Sequence, residues 1–152
     1  MANILITGGS GFIGSHFHNA IPNEKIVNLD LVAPNCKNES KYIVGDIRNI
    51  NDLNKTLEGN VLDTIISLAA MHHDFGITED EYFNTNERGT KVVCDFASEN
   101  KIKAIVFYSS VAVYGANETP SNEETQPNPN MPYGASKLAG EKVLEAWASE
   151  DA

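Results

Sequence analysis

The sequence predicts an α/β fold, a doubly wound parallel sheet, and three observations carry the prediction. The apolar run Ile4-Leu5-Ile6 breaks into closely spaced glycines over residues 7–15 and then resumes with apolar residues at helical spacing, which reads as strand, tight turn and helix N-terminus. Short apolar runs alternate with helical patterns along the rest of the chain, which calls for parallel strands joined by right-handed crossovers on both faces of one sheet. With 152 residues the chain can bury one real core.

Phe12, Ile13, Phe17 and Ala20 give one apolar side of a first helix that Pro22 and Asn23 close. Ile26-Val27-Asn28-Leu29-Asp30 is the second strand and ends in an acid. Residues 31–40 form a polar connection, too short and too rich in Asn and Pro for a helix. Lys41-Tyr42-Ile43-Val44 is the third strand, and Gly45-Asp46-Ile47-Arg48-Asn49 turns out of it. Residues 51–57 offer a short helix, with Leu53 and Leu57 four apart, that Gly59-Asn60 ends.

Asp63-Thr64-Ile65-Ile66-Ser67-Leu68 is the fourth strand, followed by the small pair Ala69-Ala70, which lets a ligand lie against the sheet edge. Residues 71–81 read as a loop containing His72, His73 and Asp74. Residues 82–99 are helical, with Val92, Val93, Phe96 and Ala97 on one face. Ala104-Ile105-Val106-Phe107-Tyr108 is the fifth strand and runs into Ser109-Ser110. Residues 117–132 hold most of the prolines and read as a long surface loop. A last helix over residues 133–149 has Leu138, Val143, Leu144 and Trp147 as its apolar side. No sixth strand follows it, so residues 1–152 are expected to be one nucleotide-binding domain, incomplete at its C-terminal end and without a substrate domain.

Hydrophobic content of 41% and charged content of 21% are those of an ordinary globular protein. The net charge of −10 argues against a nucleic-acid partner, which would need a surplus of Lys and Arg. No apolar run approaches the roughly 18 to 20 residues of a membrane span, and no basic region precedes a long apolar segment at the N-terminus. Two cysteines, Cys36 and Cys94, are too few for a disulfide framework and lack metal-ligand spacing; they are expected to be an ordinary loop thiol and helix thiol in a cytoplasmic protein.

The glycine loop is where a pyrophosphate would sit. Unpaired N–H groups and the positive end of the helix dipole face a ligand there, and glycines let the backbone approach it. Gly9-x-Gly11-x-x-Gly14 and Gly8-x-x-Gly11-x-x-Gly14 fit equally well by spacing. Asp30 falls 22 positions after Gly8, close to the spacing of about 20 at which a carboxylate accepts from the adenosine ribose hydroxyls and disfavours a 2′-phosphate. NAD is therefore expected over NADP. Tyr133 and Lys137 are four apart on a helix and share a face. An ammonium near the phenol favours the phenolate, so Tyr133 could exchange a proton with a carbinol while nicotinamide exchanges a hydride with its carbon. Ser110, at the end of the fifth strand where parallel sheets bind ligands, could hold the substrate oxygen.

With the glycine loop, Ser110, Tyr133 and Lys137 in this order, the chain resembles the short-chain dehydrogenase/reductase superfamily. More closely, it resembles the extended branch, the NAD-dependent epimerase/dehydratase family, which acts mostly on nucleotide sugars. The resemblance runs the length of the chain and implies a Rossmann fold. It sets the glycine register at Gly8, Gly11 and Gly14, with Phe12 and Ile13 part of the cofactor loop. It implies that Asp46 and Ile47 frame adenine, that Leu68, Ala69 and Ala70 lie beside the cofactor, and that Asn86-Glu87-Arg88-Gly89-Thr90 is a family helix motif. It also implies that Ser110, Tyr133 and Lys137 are catalytic, with Tyr133 and Lys137 also touching NAD.

The family's dehydratases follow their catalytic Thr with Asp and Glu. Val111 and Ala112 stand there in this chain, which favours epimerisation or simple oxidation or reduction of a nucleotide sugar. The resemblance further implies a homodimer through the helices starting near Tyr82 and Tyr133. His72, His73 and Asp74 lie where the family's substrate-facing loop begins; surface or packing roles are expected of them, and no metal site. The competing reading is a non-catalytic dinucleotide-binding or redox-sensing module.

Overall fold

The computed structural model describes residues 1–34, 40–73, 75–116 and 120–150. Five strands form one parallel sheet: β1 (Ile4–Thr7), β2 (Ile26–Asp30), β3 (Lys41–Val44), β4 (Thr64–Ser67) and β5 (Ala104–Phe107), in the order β3-β2-β1-β4-β5. Every neighbouring pair is parallel, with Thr7 opposite both Leu29 and Ser67, Asp30 opposite Val44, and Ser67 opposite Phe107. The strands therefore all release their chains at one edge. The order reverses direction between β1 and β4, the switch point at which such sheets bind ligands. Helical crossovers run both ways from that point between the parallel strands, the expected Rossmann architecture.

Residues pack into two compact units. The first holds Met1–Ala69 and Val92–Tyr108, and the second holds Ala70–Lys91 and Ser109–Ala152. In the first unit the three inner strands are buried nearly throughout, as strands covered on both faces must be, while β3 and β5 at the edges are largely exposed. Ile6, Ile26 and Ile66 form a buried cluster against which Ile4, Phe17, Ile21 and Leu68 pack. Alternate residues Leu5, Val27 and Ile65 are fully buried on the other face of the sheet.

The first helix, α1 (Phe12–Ala20), departs from its expected apolar side. Phe12 is 82% exposed, Ile13 and Ala20 are also exposed, and Phe17 alone of the four packs inward, its ring edge-on to Tyr108. The buried residues are Gly14 and His18. The reason is steric, because a Cβ at Gly14 would lie 2.3 Å from the Gly9 carbonyl oxygen. The face that meets the loop has no room for a large side chain. His18 Nδ1 meets Ser40 Oγ at 3.2 Å, and burial pushes the imidazole below its ordinary value.

The expected 51–57 helix is α2 (Ile50–Asn54), capped by Asn49 and followed by a 3₁₀ turn, Lys55–Leu57. Cys94 is buried on α4 (Thr90–Glu99), where Val93, Phe96 and Ala97 also turn inward. The loop thiol of Cys36 lies outside the described residues.

In the second unit helix begins at Glu79, within the stretch expected to be loop. Thr78 and Glu81 form a capping box: Glu81 Oε2 accepts from Thr78 N at 2.7 Å, and Thr78 Oγ1 accepts from Glu81 N at 3.4 Å. The Thr-x-x-Glu spacing carries that start signal in the sequence. From α3 (Glu79–Phe83) the chain enters a π-helical segment, Asn84–Gly89, and then α4. Ser110 caps a 3₁₀ turn, Val111–Tyr114, that periodicity does not announce.

The last helix, α5 (Pro132–Glu150), carries proline at its first position, where the missing N–H costs nothing. Its expected apolar side is corrected as well. Leu138, Val143, Leu144 and Trp147 are only half-buried, whereas Gly134, Ser136, Lys137 and Gly140 are buried. This face packs on α3, the π segment and the 3₁₀ turn through small residues and polar contacts instead of large apolar ones.

Candidate active site

In the first unit the end of β1 lies between the ends of β2 and β4. Gly8 N donates to Leu29 O at 2.8 Å, and Leu68 N donates to Thr7 O at 2.9 Å. Gly8 has φ +74°, and a Cβ there would stand 2.5 Å from Ala69 N, so the glycine brings Leu68 and Ala69 against the loop. Gly8 and Gly14 are thus demanded by the chain's own packing. Gly11 is different, since it is exposed and a Cβ on it would meet only Gly8 O, at 3.4 Å.

Gly11 is also the N-cap of α1, which has no side-chain cap and no acidic residue in its first turn. The leading N–H groups of the nine-residue helix therefore lack a side-chain acceptor, and the backbone in front of them can be approached without a Cβ in the way. These features fit a dinucleotide pyrophosphate.

Asp30 closes the β2 side of the loop. Its Oδ2 accepts from Ser10 N at 2.9 Å and its Oδ1 from Val32 N at 3.3 Å. Each oxygen has a further lone pair, so the carboxylate can tie down the loop and still accept from ribose hydroxyls. Ser10 Oγ donates to Val32 O at 2.8 Å and accepts from Asn28 Nδ2 at 3.1 Å, a link from the middle of β2 that sequence reasoning did not supply.

Asp46 and Ile47 follow β3. Arg48 donates from Nη2 to Asp46 Oδ2 at 2.6 Å, and this guanidinium holds the Asp46 carboxyl below the ordinary carboxylate range. Ile47 is buried at 5% exposure.

In the second unit the 3₁₀ turn after Ser110 lies directly on the first turn of α5. A Cβ at Gly134 would stand 2.3 Å from Ala112 O, so glycine beside Tyr133 is what admits the turn. Ser110 Oγ accepts from Ala112 N at 3.2 Å and keeps its own O–H free to donate. Tyr133 is half-buried, its ring 6.1 Å from that of Tyr82. Lys137 is 2% exposed. Burial pushes its amine down to about 8, against the opposing pull of the Glu141 carboxylate. At neutral pH it remains ionised. Ser110, Tyr133 and Lys137 are thus carried by one packed unit.

A network behind this group has no local signal in the sequence. Asn86, in the π segment and 2% exposed, donates to Ser136 Oγ at 2.9 Å, and Ser136 Oγ donates to Tyr133 O at 2.8 Å. Asn86 also bonds both polar groups of the Met71 backbone. His72 and His73 are exposed, their rings 4.7 Å apart, and Tyr82 O–H donates to His73 O. Asp74 lies outside the described residues. Among the described residues no group of three or more His, Cys, Asp or Glu could hold a metal ion, and no helix is long and apolar enough to cross a membrane.

Residues 4–152 match the NAD dependent epimerase/dehydratase family. The chain belongs to that family. It is 38% identical over 146 residues to the N-acetyl-alpha-D-glucosaminyl-diphospho-ditrans,octacis-undecaprenol 4-epimerase of Escherichia coli O157:H7, a match covering 95% of this chain and 43% of the relative. Among solved structures, the UDP-Glc/GlcNAc 4-epimerase of Campylobacter jejuni superposes with a TM-score of 0.86 at 26% identity, covering 99% of this chain and 50% of that one. The dTDP-glucose 4,6-dehydratase of Streptomyces venezuelae, solved with NAD bound, gives 0.84 at 29% identity, covering 97% and 52%. The chain spans about half the length of the curated relatives it matches. The family includes both epimerases and dehydratases, so membership alone does not choose between the two reactions.

Proposed function

We propose that this chain is the cofactor-binding and catalytic part of an NAD-dependent epimerase, or a related oxidoreductase, acting at a carbinol carbon of a nucleotide sugar. The observation that carries this reading is the burial of Lys137 one helical turn after Tyr133. An ammonium removed from water costs stability, and such a cost is kept where a site uses the charge. That burial, together with the intact Ser110 and Tyr133, weighs against a non-catalytic or redox-sensing module.

NAD, when bound, supplies a hydride acceptor for the carbinol carbon. Gly8, Gly11, Phe12, Ile13 and Gly14 would hold its pyrophosphate, Asp30 its ribose, Asp46 and Ile47 its adenine, and Leu68, Ala69 and Ala70 would lie along it. Ser110 would donate a hydrogen bond to the sugar oxygen. Tyr133 would take the carbinol proton as the carbon gives up its hydride, leaving a ketone. The Lys137 ammonium would favour the phenolate that Tyr133 needs for this step. In an epimerase the ketone turns its other face to the site, and Tyr133 returns the proton as the hydride comes back. Val111 and Ala112 carry no acid or base for eliminating water, which favours this outcome over dehydration.

The second unit also offers a groove of about 520 Å³ whose lining includes Phe83, Ala135, Leu138, Val143 and Ala146. It supports a homodimer through the helices that start near Tyr82 and Tyr133, which light scattering would read as twice the chain mass. The low cysteine usage fits the reducing cytoplasm.

Calorimetry should find NAD bound more tightly than NADP, and equal affinities would remove Asp30 from the ribose. In a full-length form that includes a substrate domain, NAD and UDP-sugars should give interconverted sugar epimers. There Tyr133→Phe should abolish turnover while leaving NAD binding nearly intact; retained turnover would exclude Tyr133 from the proton step. NAD binding by a full-length form that turns over no sugar would favour the non-catalytic module.

A further inference from the structure

We propose that Glu141, held by Ser109, is a positioning residue of this site: it clips the segment that carries Ser110 to the helix that carries Tyr133 and Lys137, and fixes a negative charge one turn beyond the Lys137 ammonium. The inference rests on the catalytic reading above for its importance, but not for its geometry.

Glu141 lies four residues after Lys137 on α5 and so on the same face of the helix. Its Oε1 accepts a hydrogen bond from Ser109 Oγ, a bond that spans 32 positions of sequence and begins at the residue before Ser110. The other attachment of this segment to α5 is the close approach of Ala112 O to Gly134. The Ser110 segment is therefore fastened to α5 at residues 134 and 141, roughly 10 Å apart along the axis at 1.5 Å per residue. Lys137 lies between the two fastenings. A lone surface carboxylate would swing freely, whereas this one is tethered and its charge stays in place.

Tethering matters because Lys137 has given up most of its water. Burial favours the neutral amine, and Glu141 is the charge that opposes this and favours the ammonium. Tyr133 on the same helix meets Tyr82 of α3 ring to ring, and Glu87 of the π segment, Tyr114 of the 3₁₀ turn and Lys142 of α5 are further titratable groups on the elements packed together here.

The test reads Lys137 directly. The side-chain Cε resonance of Lys137, assigned by its loss in Lys137→Met, is titrated by NMR in the wild-type protein and in Glu141→Gln, Glu141→Asp and Ser109→Ala. The midpoint should fall in Glu141→Gln, return most of the way in Glu141→Asp, which keeps the charge, and fall less in Ser109→Ala. In turnover by a full-length form, Glu141→Gln should lower kcat about two- to fivefold at neutral pH, the size of a solvent-screened charge interaction. The limb of the pH profile set by Lys137 should move with its midpoint.

An unmoved midpoint in Glu141→Gln, or equal midpoints in Glu141→Gln and Glu141→Asp, overturns the proposal. If Glu141→Gln does not fold, Ser109→Ala decides, and an unmoved midpoint there overturns it. Because the titration needs no substrate, shifted midpoints together with a full-length form that turns over no sugar would refute the proposed function and leave the link between Glu141 and Lys137 standing.

Discussion

Asn86 grips the backbone of Met71 on both sides: its Oδ1 accepts from Met71 N at 2.8 Å and its Nδ2 donates to Met71 O at 2.9 Å. The same amide reaches Ser136, so one buried side chain fixes both the loop after Ala70 and the first turns of α5. Replacing Asn86 with Ala leaves the Met71 N–H and carbonyl without this partner. Stability should fall by about 2–3 kcal/mol, the cost of stranding buried polar groups, as read from the urea midpoint. A loss under about 0.5 kcal/mol, the size of an ordinary surface substitution, would mean that water replaces the amide.

The glycines of the loop divide by what a methyl group would strike. At Gly14 it would meet Gly9 backbone atoms at 2.3–2.5 Å, and backbone cannot move aside. Gly14→Ala should therefore cost more than about 3 kcal/mol or prevent folding. At Gly11 it would meet only Gly8 O at 3.4 Å. Gly11→Ala should fold with stability changed by no more than about 1 kcal/mol, yet bind NAD at least roughly tenfold more weakly, because the methyl would fill the space in front of the helix N-terminus. Undiminished NAD affinity in Gly11→Ala by calorimetry would remove Gly11 from the pyrophosphate site.

Lys137 should leave its mark on how stability varies with pH. Its amine titrates at about 8 in the folded chain, against an ordinary value of 10.5. Between these two values the unfolded chain holds a proton that the folded chain has lost, so unfolding takes one up and folded stability rises with pH across the window. Below pH 8 the lysine is ionised in both states and its burden on the folded state is constant. Lys137→Met should then be more stable than wild type at pH 7, by up to about 3 kcal/mol at 1.36 per unit of displacement. That advantage should shrink steadily from pH 8 toward 10.5. Parallel stability curves for the two proteins over that range would show that burial does not displace the lysine.

The parts of the fold legible in the sequence are those set by neighbours along the chain. Ile4-Leu5-Ile6, Ile26-Val27 and Ile65-Ile66 read as strands because each is a short apolar run, and the sheet buries them in its three inner strands. Helical spacing puts Tyr133 and Lys137 on one face of α5, but spacing alone fits a solvated pair equally well, and it is the glycine loop and Ser110 around them that suggest a site. Phe12 and Ile13 misled, because periodicity counts apolar residues and cannot register that the loop backbone comes within a methyl's reach of Gly14. The apolar side of α5 misled for a related reason, since Gly134 and Ser136 take the inner face, where the Ala112 turn and the Asn86 amide approach. Asn86 with Ser136 and Ser109 with Glu141 are joined across 50 and 32 positions of sequence, where no local pattern can announce a bond.

The π segment at Asn84–Gly89 makes this part of the chain sensitive to length as well as to composition. A π turn holds a residue more than an α turn needs, and each α-helical residue advances the chain by about 100°. Removing a single residue just before Asn86 would let the helix relax to regular α geometry and keep every apolar residue of α4. The amide that now faces Met71 and Ser136 would be carried about a quarter of a turn around the helix. In this stretch the number of residues sets where the Asn86 amide points as firmly as its chemistry sets what it can bind.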